Sequence, residues 1–163
     1  MTLQKTFQPV RPRADLGALE GYHSPQVDCA VRLNTNESPY PPPAAWQEQL
    51  ADEVASLDFH RYPDRAATAL RKAIAELHRV SPEQIFVANG SNEVLQTLCL
   101  AYGGFGRTAV TFEPSYAMHG QIARVCGMTV HSTQRDAQFD LSEALVAEAF
   151  KSAQPNIDRK SVV

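Results

Sequence analysis

Residues 85–98, which read Ile-Phe-Val-Ala-Asn-Gly-Ser-Asn-Glu-Val-Leu-Gln-Thr-Leu, decide the fold of this chain. The stretch begins as an apolar run with β-branched and aromatic members, and the run breaks at Asn89-Gly90. Apolar residues then recur at helical spacing from Val94 to Leu98. This pattern predicts a strand, a tight turn and a helix, the repeating unit of α/β proteins.

The predicted helix start at Gly90, Ser91 and Asn92 has the chemistry of an anion site. The first N–H groups of a helix have no partner within it, and the helix dipole places positive charge at that end. Gly90 allows a ligand to approach the backbone closely, and Ser91 adds a hydroxyl donor. These residues predict a phosphate site. The alternative is an ordinary βα turn capped by Ser91 or Asn92.

The composition suits a soluble globular protein and excludes several functional classes. Of the 163 residues, 44% are hydrophobic and 20% are charged, and the net charge of -3 provides no basic surface for nucleic acid. The three cysteines match neither a metal pattern nor a disulfide framework, which indicates a reducing compartment. We find neither a membrane span of about 20 apolar residues nor a signal peptide, and therefore expect a cytoplasmic protein.

The rest of the sequence predicts an α/β fold with a largely parallel sheet flanked by helices. We expect an N-terminal arm at residues 1–40 and a partial large domain with a leading helix at residues 41–157. The predicted strands are 85–88, 108–112 and 128–131, and the predicted helices are 46–57, 67–77, 91–98, 116–125 and 140–150. Residues 89–91 and 113–116 follow strands, so both are expected at the ligand-binding edge of the sheet, facing one pocket.

Local patterns give finer expectations for these helices. Asp64 is placed to cap the second helix, and the spacing of Leu70 and Leu77 predicts that both face inward. In the fourth helix, Ile122 and Val125 are expected to face inward as well. The last helix is predicted to begin with a capping box formed by residues 140–143.

Four motifs, in this order and approximate spacing, resemble those of histidinol-phosphate aminotransferases. They are Leu33-Asn-Thr-Asn-Glu-Ser-Pro-Tyr, Arg61-Tyr-Pro-Asp, Asn89-Gly-Ser-Asn-Glu and Glu113-Pro-Ser-Tyr. The likeness covers about residues 22–157. It implies the N-terminal part of the large domain of a fold-type I enzyme that depends on pyridoxal 5'-phosphate. It further implies a homodimer that passes an amino group between L-glutamate and imidazole-acetol phosphate.

The resemblance also implies roles for individual residues. Ser91 and the backbone of Gly90 and Asn92 would bind the cofactor phosphate, and Tyr116 would stack on the pyridine ring. Tyr62 would reach the cofactor phosphate of the neighbouring subunit. The alternative for each tyrosine is an ordinary packing ring.

For the small-molecule substrate, the resemblance implies contacts from Tyr22, which would close over it, and from Asn36. The sequence departs from the family pattern at Ser38, where a second Asn is commoner, and at Pro41, where glycine is usual. Asn92 occupies a position that is often Asp.

No catalytic residue is assigned in this chain. The family needs a lysine that holds the cofactor as a Schiff base, and none of the four lysines, at positions 5, 72, 151 and 160, follows a strand end. In the family that lysine, an acidic partner for the pyridine nitrogen and an arginine for the substrate carboxylate all come later than residue 163. The isolated chain is therefore expected to be inactive.

The C-terminal residues 158–163 read as a non-native tail, because the hexapeptide Asp-Arg-Lys-Ser-Val-Val corresponds to the translation of a sequencing adapter. We expect the natural protein to continue past this point. Two alternatives to the main interpretation remain open. One is a related pyridoxal-phosphate enzyme, a threonine-phosphate decarboxylase or an aromatic aminotransferase. The other is a non-catalytic α/β module that binds phosphate.

Overall fold

The computed structural model describes residues 10–17, 19–21, 25, 27–34 and 37–158. The helices are α1 (Ala44–Ala55), α2 (Thr68–His78), α3 (Ser91–Tyr102), α4 (Met118–Val125) and α5 (Glu143–Ala153). The strands are β1 (Thr108–Glu113), β2 (Thr129–Gln134) and β3 (Ile157–Asp158), and single 3₁₀ turns lie at Ala14–Leu16 and Pro82–Gln84. The chain forms two compact units, one of residues 23–87 and one of residues 1–22 with 88–163.

The sheet has three parallel strands in the order β2-β1-β3, which confirms the predicted parallel α/β arrangement. Thr108 of β1 is opposite Thr129 of β2, and the pairing continues to the end of both strands. On the other side, Ala109 is opposite Ile157 in β3. The central strand β1 therefore has neighbours on both sides.

Helices cover both faces of β1, because successive side chains of a strand point to opposite faces. Ala109 packs in one buried cluster with residues of α3, of α4 and of the turn between α4 and β2. The other buried members of this cluster are Cys99, Ile122, Ala123, Cys126 and Met128. Val110 and Phe112 pack in the other cluster with Ala149 of α5. Residues 109–112 are all buried, as expected of a strand that is covered on both faces.

The unit of residues 23–87 contains α1 and α2. Helix α1 begins at Ala44, directly after the prolines at positions 41–43 and two residues before the predicted start at residue 46. The two carboxylate oxygens of Asp64 accept hydrogen bonds from the backbone N–H of Ala66 at 2.9 Å and of Thr68 at 2.7 Å. Because Thr68 is the first residue of α2, Asp64 supports the helix start, as the sequence predicts.

The expectation that Leu70 and Leu77 are buried is wrong, since they are 54% and 77% exposed. Ala75 is the buried residue of α2. On the same helix, the Arg71 guanidinium donates hydrogen bonds to the backbone carbonyls at Pro82 and Ile85. Small and polar contacts, rather than the leucines, therefore hold α2 against the turn that follows it.

The predicted strand at residues 85–88 is also wrong. Ile85 has extended backbone, with φ -104° and ψ 124°, but residues 85–88 pair with no strand in the described part of the chain. An apolar, β-branched run specifies extended backbone, whereas a strand also needs a neighbour with free N–H and C=O groups. The helix α3 that follows begins at Ser91, as predicted.

The capping box predicted at residues 140–143 is wrong, because α5 begins two residues later than it requires. Ser142 is the N-cap, and its hydroxyl accepts a hydrogen bond from the N–H of Leu145 at 3.2 Å. Asp140 instead donates its N–H to the carboxylate of Asp136 at 2.8 Å, within the preceding turn. In α4, Ile122 is buried as expected, but Val125 is 39% exposed.

Candidate functional site

The first element of the candidate site is the start of α3. Gly90 is its N-cap, with φ 87° and ψ 165°, and a glycine has no side chain with which to cap the helix. A Cβ placed on Gly90 would meet no atom within 4 Å, so the space beside the Cα of the N-cap is open. Ser91 and Asn92 are both exposed. The structure thus presents the first turn of α3 to solvent, as the predicted phosphate site requires.

Glu93 also belongs to this helix start, although the sequence analysis did not single it out. Its carboxylate accepts a hydrogen bond from the backbone N–H of Asn89 at 2.6 Å. Glu93 is the third residue of α3, and an acid at that position commonly reaches back to the N–H groups before the helix. That spacing could have identified it. The N–H of Asn89 donates to Glu93 and the N–H of Gly90 donates to the carbonyl of Ala88, so the donors that the α3 start offers an anion are the first-turn N–H groups from Ser91 onward.

The second element is the loop that follows the carboxyl end of β1. Tyr116 lies three residues after the strand, and its side chain is 47% exposed. Its ring and the ring of His119 have centroids 5.4 Å apart and planes at 81°, a T-shaped arrangement. The hydroxyl of Ser115 is 3.1 Å from Nδ1 of His119. Of these residues, Tyr116 alone is a site residue predicted from the sequence, and Ser115 and His119 become apparent only from their contacts with it and with each other.

Helices α3 and α4 pack against one another, which relates the two elements within one unit. Cys99 of α3 and Cys126 at the end of α4 are both buried in this interface, with Leu95 and Met118 packed against them. Burial raises the pKa of the Cys99 thiol, and burial also raises the pKa of Cys126, against the opposing attraction of the Arg13 charge. The interface is therefore apolar and uncharged at neutral pH. That Ser91 and Tyr116 face one pocket stays a prediction.

Tyr62 is the one remaining predicted site residue that the structure describes. Tyr62 lies in the unit of residues 23–87 and is fully exposed. Tyr22 and Asn36 lie outside the described residues. Their predicted roles stay predictions.

Comparison with known proteins identifies the family. Residues 30–163 match the protein family described as aminotransferase class I and II. The chain belongs to this family. It is 43% identical to a histidinol-phosphate aminotransferase from Corynebacterium diphtheriae, over 93% of this chain and 44% of the relative. It is 42% identical to one from Thermobifida fusca, over 89% of this chain and 41% of the relative. The chain thus spans less than half the length of these relatives.

The fold of the aminotransferase chain agrees with this assignment. It superposes on the crystal structure of YbdL from Escherichia coli, which is described as having a methionine aminotransferase function. The TM-score is 0.64 and the identity 22%, over 86% of this chain and 40% of the other. The predicted fold class, the N-terminal part of a fold-type I large domain, is confirmed. The resemblance read from the four sequence motifs is confirmed by the same comparisons.

Aminotransferases of this family work with pyridoxal 5'-phosphate, and the residues at the start of α3 fit its phosphate. A phosphate dianion needs convergent N–H and O–H donors and positive potential, which the first turn of a helix with an unfilled N-cap supplies. No atom lies within 4 Å of a Cβ placed on Gly90, so nothing crowds the backbone at the N-cap itself. No three His, Cys, Asp or Glu side chains group as a metal site in the part of the chain that the structure describes.

None of the helices formed by the described residues is both long enough and apolar enough to cross a membrane.

Proposed function

We propose that this chain is the N-terminal part of a histidinol-phosphate aminotransferase, a homodimer that transfers an amino group between L-glutamate and imidazole-acetol phosphate. Support comes from relatives of that name, which are 42% and 43% identical to most of this chain. The observation that carries the proposal is the start of α3 at Gly90 and Ser91, where a glycine N-cap without a side-chain hydrogen bond leaves the positive end of the helix open to a phosphate.

In this proposal, the chain's main contribution is to bind and orient pyridoxal 5'-phosphate. The hydroxyl of Ser91 and the N–H groups of Ser91 and Asn92 donate to the phosphate, with Gly90 allowing its close approach. Tyr116 offers a ring face to the pyridine ring. When bound, the cofactor supplies the electron sink that amino transfer needs. The side chains named here hold its two ends and move no proton.

The other parts of the proposal concern residues that lie apart from this seat. Tyr62 would reach the cofactor phosphate of the neighbouring subunit, and its full exposure leaves it accessible to a second copy. Tyr22 and Asn36 would contact the substrate. Cytoplasmic location, the domain limits at residues 40 and 157 and the non-native tail at 158–163 belong to the same proposal. The isolated chain would be inactive, since it spans less than half of its relatives.

The test is to replace Ser91 in the protein encoded by the uninterrupted reading frame that contains this chain. A hydrogen bond to a charged group contributes about 1.5–3 kcal/mol, so Ser91→Ala should weaken pyridoxal-phosphate binding roughly 10- to 150-fold. Absorbance titration measures the dissociation constant. Ser152→Ala is the matched control, because the Ser152 hydroxyl donates to the carbonyl of Ala149 within α5 and is remote from α3 in sequence.

The same protein should convert histidinol phosphate when supplied with 2-oxoglutarate. An unmodified protein that binds no pyridoxal phosphate would overturn the proposal. Equal binding by the Ser91→Ala and Ser152→Ala variants would refute the role of the α3 start. Decarboxylation of a phosphorylated amino acid, or transfer to aromatic 2-oxo acids only, would show that a related enzyme is the correct assignment.

A further inference from the structure

His119 contacts Ser115 and Tyr116 in the loop before α4 at the candidate site. Its Nδ1 lies 3.1 Å from the Ser115 hydroxyl, and its ring makes the T-shaped contact with Tyr116 at a centroid distance of 5.4 Å. His119 is on the first turn of α4, and its N–H donates to the carbonyl of Tyr116 at 3.0 Å. Backbone, hydroxyl and ring contacts therefore all tie this histidine to the loop that carries Tyr116.

Tyr116 needs such support, because a ring on a loop, nearly half exposed, is free to change its rotamer. The interplanar angle of 81° means that the edge of one ring points at the face of the other. Whichever of the two rings points its edge at the other, at least one face of Tyr116 is not covered by His119. The contact can thus fix the angle of the tyrosine and still leave a face for a flat ligand.

The link to Ser115 does not depend on the protonation state of the histidine. With Nδ1 unprotonated, the Ser115 hydroxyl donates to it, and with Nδ1 protonated, the ring N–H donates to the hydroxyl oxygen. Both His119 and Ser115 are partly buried, so water competes with this bond less than it would at a fully exposed position. The hydrogen bond holds the imidazole plane, and the imidazole in turn holds the tyrosine.

We propose that His119 is a positioning residue for Tyr116, setting the ring at the angle at which it stacks on the pyridine ring of the cofactor. The proposal rests on the proposed function in one respect, that Tyr116 stacks on pyridoxal phosphate. The placement of the tyrosine ring by His119 can be measured without any cofactor. Two separate readouts therefore distinguish failure of this inference from failure of the proposed function.

The first readout is ¹⁹F NMR of the full-length protein labelled with 3-fluorotyrosine and free of cofactor. The Tyr116 resonance is assigned by its loss in Tyr116→Phe. His119→Asn keeps a hydrogen-bonding group for Ser115 but removes the ring, so the resonance should move toward that of an unconstrained fluorotyrosine. His119→Phe keeps a ring but removes the hydrogen bond, so the resonance should broaden or shift less. His78→Asn, on the exposed side of α2, is the matched control and should change nothing.

The second readout is the dissociation constant for pyridoxal phosphate, together with the circular dichroism of the bound cofactor. The contact between the two rings stabilises the position of Tyr116, so loss of the imidazole in His119→Asn should weaken binding of pyridoxal phosphate roughly 2- to 12-fold. The same variant should reduce the dichroism of the bound cofactor ring. Ser115→Ala should add nothing in the His119→Phe background, because the hydrogen bond is already absent there. Thermal melts of each variant confirm that it is folded. If one of the two His119 variants does not fold, the other still tests the inference.

An unmoved Tyr116 resonance in His119→Asn would overturn the inference. A moved resonance with unchanged affinity and dichroism would also overturn it, because the ring position would then not serve the cofactor. An unmodified protein that binds no pyridoxal phosphate would refute the proposed function and the cofactor half of this inference. In that case the NMR result alone would decide whether His119 positions the tyrosine.

Discussion

Replacing Gly90 with alanine tests the geometry on which the candidate site depends. Gly90 has φ 87° and ψ 165°, a region of backbone conformation that is essentially confined to glycine. An added Cβ would meet nothing within 4 Å, so the substitution creates no collision with a neighbouring atom. The expected destabilisation is therefore backbone strain alone, with no packing contribution.

Strain of this kind amounts to about 1–3 kcal/mol. Since chains of this size lose about 2 kcal/mol of stability per molar urea, the unfolding midpoint of Gly90→Ala should fall by roughly 0.5–1.5 M. Far-ultraviolet circular dichroism during urea titration of the 163-residue chain measures the midpoint and the slope. An unchanged slope would show that the change lies in stability rather than in the compactness of either state.

Gly17→Ala is the matched control. Gly17 has φ -65° and ψ -21°, which any residue adopts, and its added Cβ would make an ordinary contact of 3.4 Å with the carbonyl of Ala14. Alanine there should leave stability unchanged or raise it by about 0.4–1 kcal/mol. A Gly90→Ala protein within about 0.5 kcal/mol of the unmodified chain would refute the reasoning. The α3 start would then not need glycine, and the open donor geometry derived from it would be wrong.

Three further predictions concern the core, the thiols and one helix cap. Phe112→Ala should destabilise the chain by about 3–5 kcal/mol in urea unfolding, because Phe112 is 2% exposed at the centre of its cluster. Cys29, which is exposed, should react with a disulfide reagent well before buried Cys99 and Cys126, whose pKa values burial raises. Hydrogen bonds from Thr68 and Ala66 lower the pKa of Asp64. Asp64→Asn should therefore destabilise the chain at neutral pH, and the difference should disappear as the pH falls through that lowered pKa.

Each of these has a control or a contrary outcome. Phe59→Ala, at a residue that is 78% exposed, should change stability by no more than about 0.5 kcal/mol. Because raised thiol pKa values favour the protonated form in the fold, stability should decrease as the pH rises through the ordinary thiol range, and Cys99→Ala should reduce that slope. Three thiols reacting at one rate would contradict the burial. A stability difference for Asp64→Asn that is the same in acid as at neutral pH would contradict the cap.

Much of the fold could be predicted because it depends on local patterns. Helix α1 begins where the prolines end, and β1 is a short run rich in β-branched and aromatic residues that is bounded by turn residues, so both are specified within a few residues of themselves. The α3 start was predicted for the same reason. The turn residues Asn89 and Gly90 and the helical spacing after them suffice.

The errors came where a competing contact decides the outcome. Asp140 has the right spacing for a capping box, but its N–H is taken by Asp136, and Ser142 caps α5 instead. Ile85 is extended as the composition predicts, yet strand pairing depends on a neighbour that local sequence does not identify. His119 was overlooked because a histidine on a helix has no distinctive pattern. Only its spacing from Ser115 and Tyr116 places the three together.

The unequal lengths of the strands beside β1 affect how the chain behaves in solution. Strand β2 pairs with all six residues of β1, whereas β3 pairs with only Ala109 and Val110. On the β3 side, the described residues place no strand beside positions 111–113, where Thr111 and Phe112 are buried. The carbonyl of Phe112 there accepts a 3.4 Å hydrogen bond from Nε of Arg135, and the backbone groups of an edge that pairs with no strand are a template for a foreign strand. Self-association through this edge of β1 can be measured by light scattering. The scattering should grow with protein concentration, and a peptide that pairs in parallel with β1 should suppress it.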